Sequence, residues 1–500
     1  MKMKPAHLFV GLGRFLPVAA ILLTSAASLP AATFTWKGSG TADEPGDGNW
    51  SVASNWEEGV APGVGTTGGQ KTFVFGGSGT ISYTSNDNVP SNIVADTSRM
   101  IVNKLYLQSS STGTSTISGQ VLSFSYGSPS IYMDGSGDFI ISNGYQFAQT
   151  TLFAGSGTGT LTFTGIAGTN GTTNGGNLTI NTTNAAATLR LANNSNKFGT
   201  ITLTSGTLDF TEAGALDIDD ALNINGGTFL SSNGTTLGEG KANFTKTMNV
   251  NGAFTLGGSQ NWSTGTMAVS LNADVAITAN TGGTTGATIG GVIADGTSGN
   301  TLTIASGSTG TLTLTGSNTY TGGTVVEGGT LLVNNTAGSG TGTGDVIVSA
   351  DARLGGTGTI SGNVVVEAGG LFDGTNGALS SGGDLTLNSN DVDAVFSYSL
   401  DASYTASIGG DLLKGDGSTF IVDFSGTGAI GDTYTLLTFV GTTDFTASDF
   451  TALGSQGYFS VENGNLTFTV TAVPEPAHIG LILGLGVLAS LVLRRQHRRD

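Results

Sequence analysis

Thr324-Val325-Val326, Asp345-Val346-Ile347-Val348, Asn363-Val364-Val365-Val366 and Asp384-Leu385-Thr386-Leu387 begin 21, 18 and 21 residues apart. The first three are followed within a few residues by a second hydrophobic point: Leu331, Leu354 and Leu371. A period near 20 with two or three short strands per unit predicts a β-solenoid. Each coil of such a fold buries its apolar face only by lying on the next. The same apolar-polar-apolar phrase recurs from Thr160 onward, in Leu161 with Phe163, Ile201 with Leu203, Leu208 with Phe210, Leu216 with Ile218, Leu302 with Ile304 and Leu466 with Phe468. Alternation of this kind puts one side chain into a core and the next outside. Thr suits strands because it is β-branched, and Gly, Ser and Asn between the phrases supply turns. About 440 residues in coils of about 20, stacked at about 4.8 Å, predict a rod of roughly 100 Å. Runs such as Val364–Val366 do not reveal which side chain points inward. In the less regular stretch Thr33–Gly155, a jelly roll or sandwich competes with the solenoid.

Composition agrees. Gly supplies 82 of 500 residues, only 10% are charged, and Cys is absent. Gly costs about 1 kcal/mol per helical position relative to Ala, so helix is disfavoured. Nine Pro exclude collagen, and the charged fraction is too low for a solvated disordered chain. The body between the terminal segments holds 10 Lys/Arg against 33 Asp/Glu, a charge of −23. Such a surface cannot neutralise a phosphate backbone, so nucleic acid is not an expected partner. The three histidines, His7, His478 and His497, all lie in the terminal segments. The body therefore lacks Ser-His-Asp, Cys-His and His/Cys zinc chemistry. Carboxylate chemistry and oxygen ligation of a calcium-like ion remain.

Both ends read as addresses. Lys2, Lys4 and Arg14 precede an apolar run, Phe15–Leu23, and small residues to Ala31-Ala32, the order of a secretory signal peptide. At the other end Val473-Pro474-Glu475-Pro476 precedes an uncharged, nearly apolar run, Ala477–Leu493. Arg494, Arg495, Arg498 and Arg499 close the chain. Seventeen residues of helix span about 25 Å, near the lower limit for a bilayer. The arginines would stay cytoplasmic and leave the body outside.

This tripartite tail resembles the PEP-CTERM sorting signal of exported Gram-negative proteins. The resemblance implies an exosortase-type processing enzyme as partner, reached through the general secretion machinery, with a membrane-held intermediate before release or transfer to the cell surface. A second resemblance lies in Gly310–Gly316, Asn318–Thr324 and Gly328–Val333. Here Leu312, Leu314, Asn318, Tyr320, Gly322, Gly323, Gly328, Gly329 and Leu331 look like the autotransporter-associated β-strand repeat. That implies a right-handed parallel β-helix. No outer-membrane barrel follows the repeat, so self-secretion is not expected.

The expected fold class is all-β, a right-handed parallel β-helix or solenoid of short strands, with an N-terminal signal helix and a C-terminal transmembrane helix. The expected organisation is 1–32 signal peptide, 33–155 N-terminal β region, 156–390 solenoid repeats, 391–472 C-terminal β cap or small β domain, and 473–500 sorting tail. Trp36, Trp50 and Trp56 cluster in the first region; only Trp262 lies elsewhere. They read either as a plug for the first coil, the favoured reading, or as a sugar-stacking platform.

Candidate carboxylate pairs for hydrolysis are Asp217, Asp219 and Asp220, and separately Asp391 and Asp393. Outward acids on an acidic coil are more often solvated surface. Arg353 beside Asp351 is the one basic residue among acids, and reads as a turn salt bridge. Asn388, Asn390, Asp391 and Asp393 form one oxygen-rich cluster; Asp43, Glu44 and Asp47 form another. Neither matches a calcium-loop pattern, so no metal and no cofactor is expected. Two functions follow. The first is a non-enzymatic, exported adhesive or matrix rod whose Thr/Ser/Asn faces meet surface polysaccharide. The second is a polysaccharide lyase or hydrolase with carboxylates drawn from several coils.

Overall fold

The computed structural model describes residues 32–37, 49–62, 71–76, 84–87, 99–110, 113–125, 127–166, 176–193, 195–212, 217–232, 246–297, 299–402 and 404–472. The chain is a parallel β-solenoid. Among the described residues the only helices are two 3-10 turns, Ala53–Asn55 and Ala447–Asp449. None is long and apolar enough to cross a membrane. The expected signal helix and tail helix fall at 1–31 and 473–500, outside the described residues.

Five sheets line the coils. One of eleven strands runs from Ala32–Trp36 to Ile293–Asp295, and one of fifteen from Thr84–Asp87 to Leu412–Lys414. A third face is made first by three strands, Arg99–Val102, Val121–Phe124 and Tyr145–Phe147. Later, nine strands from Trp262–Ser263 to Phe450–Leu453 take part, and the last sheet has six. Strands within 33–155 share these parallel sheets with later coils, which decides against a separate sandwich there. The ladders also run unbroken past 390.

Successive strands of the longest sheet start between 18 residues apart, as from Val346 to Val364, and 30 apart, as from Thr84 to Thr114. Fifteen rungs of this sheet, with Ala32–Trp36 one coil before and Thr443 one rung after, give roughly 80 Å at about 4.8 Å each. The 100 Å expectation is therefore too long. It took the most regular coils as typical, whereas most spend extra residues in turns.

Alternation decides the core. Val275, Leu302, Thr324, Val346, Val364, Leu385 and Leu412 stand in one column of in-register partners. Ile277, Ile304, Val326, Val348, Val366 and Leu387 form the next. All thirteen are buried. The ambiguous runs resolve the same way: Val364 and Val366 point in, while Ile347, the middle residue of its strand, is 38% exposed. Each apolar side chain in such a column contributes about 1.5–3 kcal/mol of burial.

Aromatic clusters close both ends. Trp36, Trp50 and Trp56 are buried against Phe34, Phe73 and Phe75, with Trp50 and Phe73 ring centroids 4.8 Å apart. Trp56 Nε1 donates to Trp50 O at 2.9 Å. This is the plug, and the sugar-platform alternative is set aside because the rings face inward. The first strand's open edge is covered too. Glu57 N donates to Thr35 O at 2.9 Å, and Thr35 N donates to the Glu58 carboxylate at 2.8 and 3.0 Å. At the far end Phe424, Phe445, Phe450, Phe459 and Phe468 pack together. There the pairing switches to antiparallel, between Thr433–Phe439, Asn465–Ala472 and Gln456–Glu462. The hairpin turns on Asn463-Gly464, with φ of 52° and 74°, the geometry a two-residue hairpin turn favours.

Leu331→Ala, inside, is expected to cost about 2–5 kcal/mol, while Ile347→Thr, outside, stays within about 0.5 kcal/mol. Denaturant melts and amide exchange of the flanking strands Thr311–Leu314 and Arg353–Gly356 measure this. Equal costs would refute the inward–outward assignment.

Candidate functional site on the outer faces

The repeat-motif residues come together, and their roles are internal. Leu312 pairs in register with Leu331, and Leu314 with Val333, all buried. Asn318 is buried between coils. Its Oδ1 accepts Ile293 N at 2.8 Å, its Nδ2 donates to Gly340 O at 2.6 Å, and its own N donates to Ser339 O at 2.7 Å. One side chain thus ties three coils. The Tyr320 hydroxyl meets Thr324 Oγ1 at 2.6 Å, and burial pushes its pKa well above the ordinary phenol value. Gly323 has φ +88°, and a Cβ there would sit 2.8 Å from Asp345 O. At Gly328 a Cβ would lie 2.8 Å from Ser306 O, and at Gly329, with φ +64°, 2.6 Å from Gly310 O. A side chain at Gly322 would strike the backbone of Gly299 and Asn300. The motif marks where neighbouring backbones approach most closely.

The acids are also largely structural. Asp345 Oδ1 accepts Asn363 N at 2.9 Å, Asn363 Oδ1 accepts Asp384 N at 2.9 Å, and Asp384 Oδ1 accepts Asp411 N at 2.8 Å. Asp138 and Asp274 do the same for Thr160 N at 2.7 Å and Thr301 N at 2.9 Å. Each side chain satisfies an amide at the mouth of the next coil, where a turn leaves it without a ladder partner.

The candidate pair at 391 and 393 follows this rule. Asp391, with φ +63°, accepts Ser418 N at 2.7 Å and Thr419 N at 2.6 Å. Those two amides hold its carboxyl below the usual range. Asp393 Oδ2 accepts Asn390 Nδ2 at 2.6 Å, and Asn388 Oδ1 accepts Asp416 N at 2.8 Å. The oxygens proposed for a cation are turned toward N–H donors. Asp217 and Asp219 lie on the strand Asp217–Ile224, with side chains outside the described set; Asp220 is exposed. Asp43, Glu44, Asp47 and the sorting residues Val473, Pro474, Glu475, Pro476, Arg494, Arg495, Arg498 and Arg499 also lie outside it.

Arg353 does not pair with Asp351. Its Nη2 lies 3.6 Å from Asp373 Oδ2, one coil on. Asp373, Ser397 and Asp423 occupy successive rungs of one column. Desolvation lifts the Asp423 carboxyl above its usual range, and the Arg353 charge offsets part of this. Asp373 and Asp423 stand two rungs apart, about 10 Å by backbone spacing, near the upper separation of a cross-coil acid–base pair. The Asp373 carboxylate is already engaged, however. It is buried and accepts from Thr375 N, Ser397 Oγ and Asn376 Nδ2, each at 2.9 Å.

Two amide ladders escaped the sequence reading. Asn251 Nδ2 donates to Asn225 Oδ1, and Asn272 Nδ2 to Asn251 Oδ1, each at 2.7 Å; Asn249 Nδ2 donates to Asn223 Oδ1 at 2.9 Å. The signal was present as Asn223-Ile224-Asn225-Gly226 and Asn249-Val250-Asn251-Gly252. These amides form polar stripes running from coil to coil.

The family model of the passenger-associated-transport-repeat matches residues 300–333. The match starts before Gly310 and takes in the strand Leu302–Ile304. An autotransporter-like passenger repeat is therefore present within a β-solenoid. No curated protein matches the chain.

The depressed carboxyls set an acid limit. Asp391, Asp449 and Glu58 are held low: Asp391 by its amides, and Asp449 by Lys414 Nζ at 2.6 Å. For Glu58, desolvation acts upward, but the Thr35 and Glu58 amides outweigh it. Lowered folded-state values mean stabilisation present above the ordinary carboxylate pKa and lost as pH falls through the folded-state values. Asp391→Asn keeps an acceptor oxygen and tolerates positive φ. Without the charge those amides favour, it should melt below the parent at pH 7 and show a shallower decline below pH 4, measured by circular dichroism. An unchanged acid decline would refute the role given to this carboxylate.

Proposed function

We propose that the chain is a non-catalytic, exported surface rod, a passenger-like structural or adhesive solenoid whose Asn, Thr and Ser stripes meet surface polysaccharide. The observation that carries this reading is the commitment of the acids. Asp391 is spent on amides of the next coil and Asp393 on the Asn390 side-chain amide of its own turn, and asparagine ladders run between coils. The passenger-type repeat supports export or surface display. The right-handed sense of the coil, the signal peptide at 1–32 and sorting through Val473–Pro476 with the terminal arginines belong to the same proposal. In it an exosortase-type enzyme acts on a membrane-held intermediate, and the body then reaches the cell surface or the extracellular matrix.

Assays on acidic and neutral polysaccharides are expected to show no turnover. Robust turnover abolished by Asp423→Asn would overturn the non-catalytic reading. Replacing Pro474-Glu475-Pro476 with alanines should leave the body in the membrane fraction of the native host. Release at the parental level would refute the sorting assignment.

A further inference from the structure

Three large apolar side chains lie near the last residues of the final described strand. Ile430 is 66% exposed, Tyr458 59% and Leu453 40%. Gly431 N, next to Ile430, donates to Val470 O at 2.8 Å. Gly457, next to Tyr458, is the register partner of Val470, and Gln456, three residues beyond Leu453, is that of Ala472. All three thus flank the last residues of the final strand, Asn465–Ala472. Only four residues, Val473–Pro476, then precede the apolar run Ala477–Leu493. Fully extended, four residues reach about 14 Å. A headgroup layer is about 5–8 Å thick on each side.

We infer that this end of the rod is a lipid-docking face, with Ile430, Leu453 and Tyr458 seated at the headgroup boundary of a zwitterionic, ammonium-bearing membrane. The inference rests on the proposal above that Ala477–Leu493 enters a bilayer. The tether is then too short to let the cap float free. An aromatic ring such as Tyr458 is at home at that depth. Charge selects the lipid. Lys414 is the only Lys or Arg between 391 and 472, and it is paired with Asp449, while Asp432, two residues from Ile430, is exposed and Asp423 is the register partner of Leu453. Such a face repels anionic lipid. Beside it opens a cavity of about 290 Å³ lined by Tyr398, Thr405, Asp432, Thr433, Tyr434 and Thr435. A carboxylate next to tyrosine rings suits a primary ammonium.

The absence of cysteine allows single-site labelling of the full chain. Ile430→Cys, Tyr458→Cys and, at the opposite end, the 56% exposed Val60→Cys would each carry a fluorophore. Each labelled chain would be mixed with vesicles bearing nitroxide lipid, made either of phosphatidylethanolamine and phosphatidylcholine or of phosphatidylglycerol. Flotation reports anchoring, and quenching reports contact. Co-flotation with quenching at 430 and 458 at least about threefold that at 60, weaker on phosphatidylglycerol, supports the proposal. Co-flotation with equal quenching at all three sites overturns it and leaves the anchor reading standing. Equal quenching on both vesicle types overturns the ammonium preference. Failure to float overturns the anchor reading and this inference together.

Discussion

Parallel hydrogen bonding between one coil and the next is the constraint on which the rest depends. It fixes the rise at about 4.8 Å and lines up equivalent residues in columns. The columns then decide composition. An inward column must be apolar or internally paired, as with Asn318 and Tyr320. Where backbones come together at the turns, only glycine fits, as at Gly323. Because no coil is stable by itself, stability is shared between neighbours, and the two terminal coils lack one partner each. The buried tryptophans and the Glu58 clamp at one end, and the phenylalanine cluster with its antiparallel hairpin at the other, supply what is missing.

The acidity of the chain takes a different meaning in this light. A turn that opens a coil leaves an amide without a ladder partner, and a short carbonyl or carboxylate side chain from the coil below reaches it. Asp345, Asn363, Asp384 and Asp411 fill one such column interchangeably. Asn363 serves in the same place as the aspartates, so this column accepts an uncharged acceptor too. The charge serves solubility and resists side-by-side association of an elongated body. Asp345, Asp384 and Asp411 were not among the candidate acids of the sequence. They recur because the coils recur.

Much of the architecture was legible. Alternation in Leu161 with Phe163 or Leu302 with Ile304 named the buried positions directly, because a strand has only two faces. The tryptophan plug was readable from clustering. Less visible were contacts between residues more than twenty positions apart. Arg353 sits two residues from Asp351 yet pairs with Asp373. The Asn225–Asn251–Asn272 ladder has unequal spacing because the loops between its rungs differ in length. The Asn463-Gly464 hairpin turn was spelled out in the letters, but it marks an antiparallel ending that a parallel repeat pattern does not anticipate.

Sequence by itself determined the class of structure. Period, alternation and the abundance of glycine and threonine leave stacked short strands as the way to hide these apolar residues, and the absence of His and Cys from the body removes whole families of chemistry. Tertiary structure decided coil length, hence a rod of roughly 80 Å, and the partner of each polar side chain. It turned Asp391 from a candidate acid into a clip, and it gathered Ile430, Leu453 and Tyr458 near the end of the strand Asn465–Ala472. The physical reason is register. A side chain's face follows from its own strand, but its neighbour across the coil depends on every residue in the intervening loop.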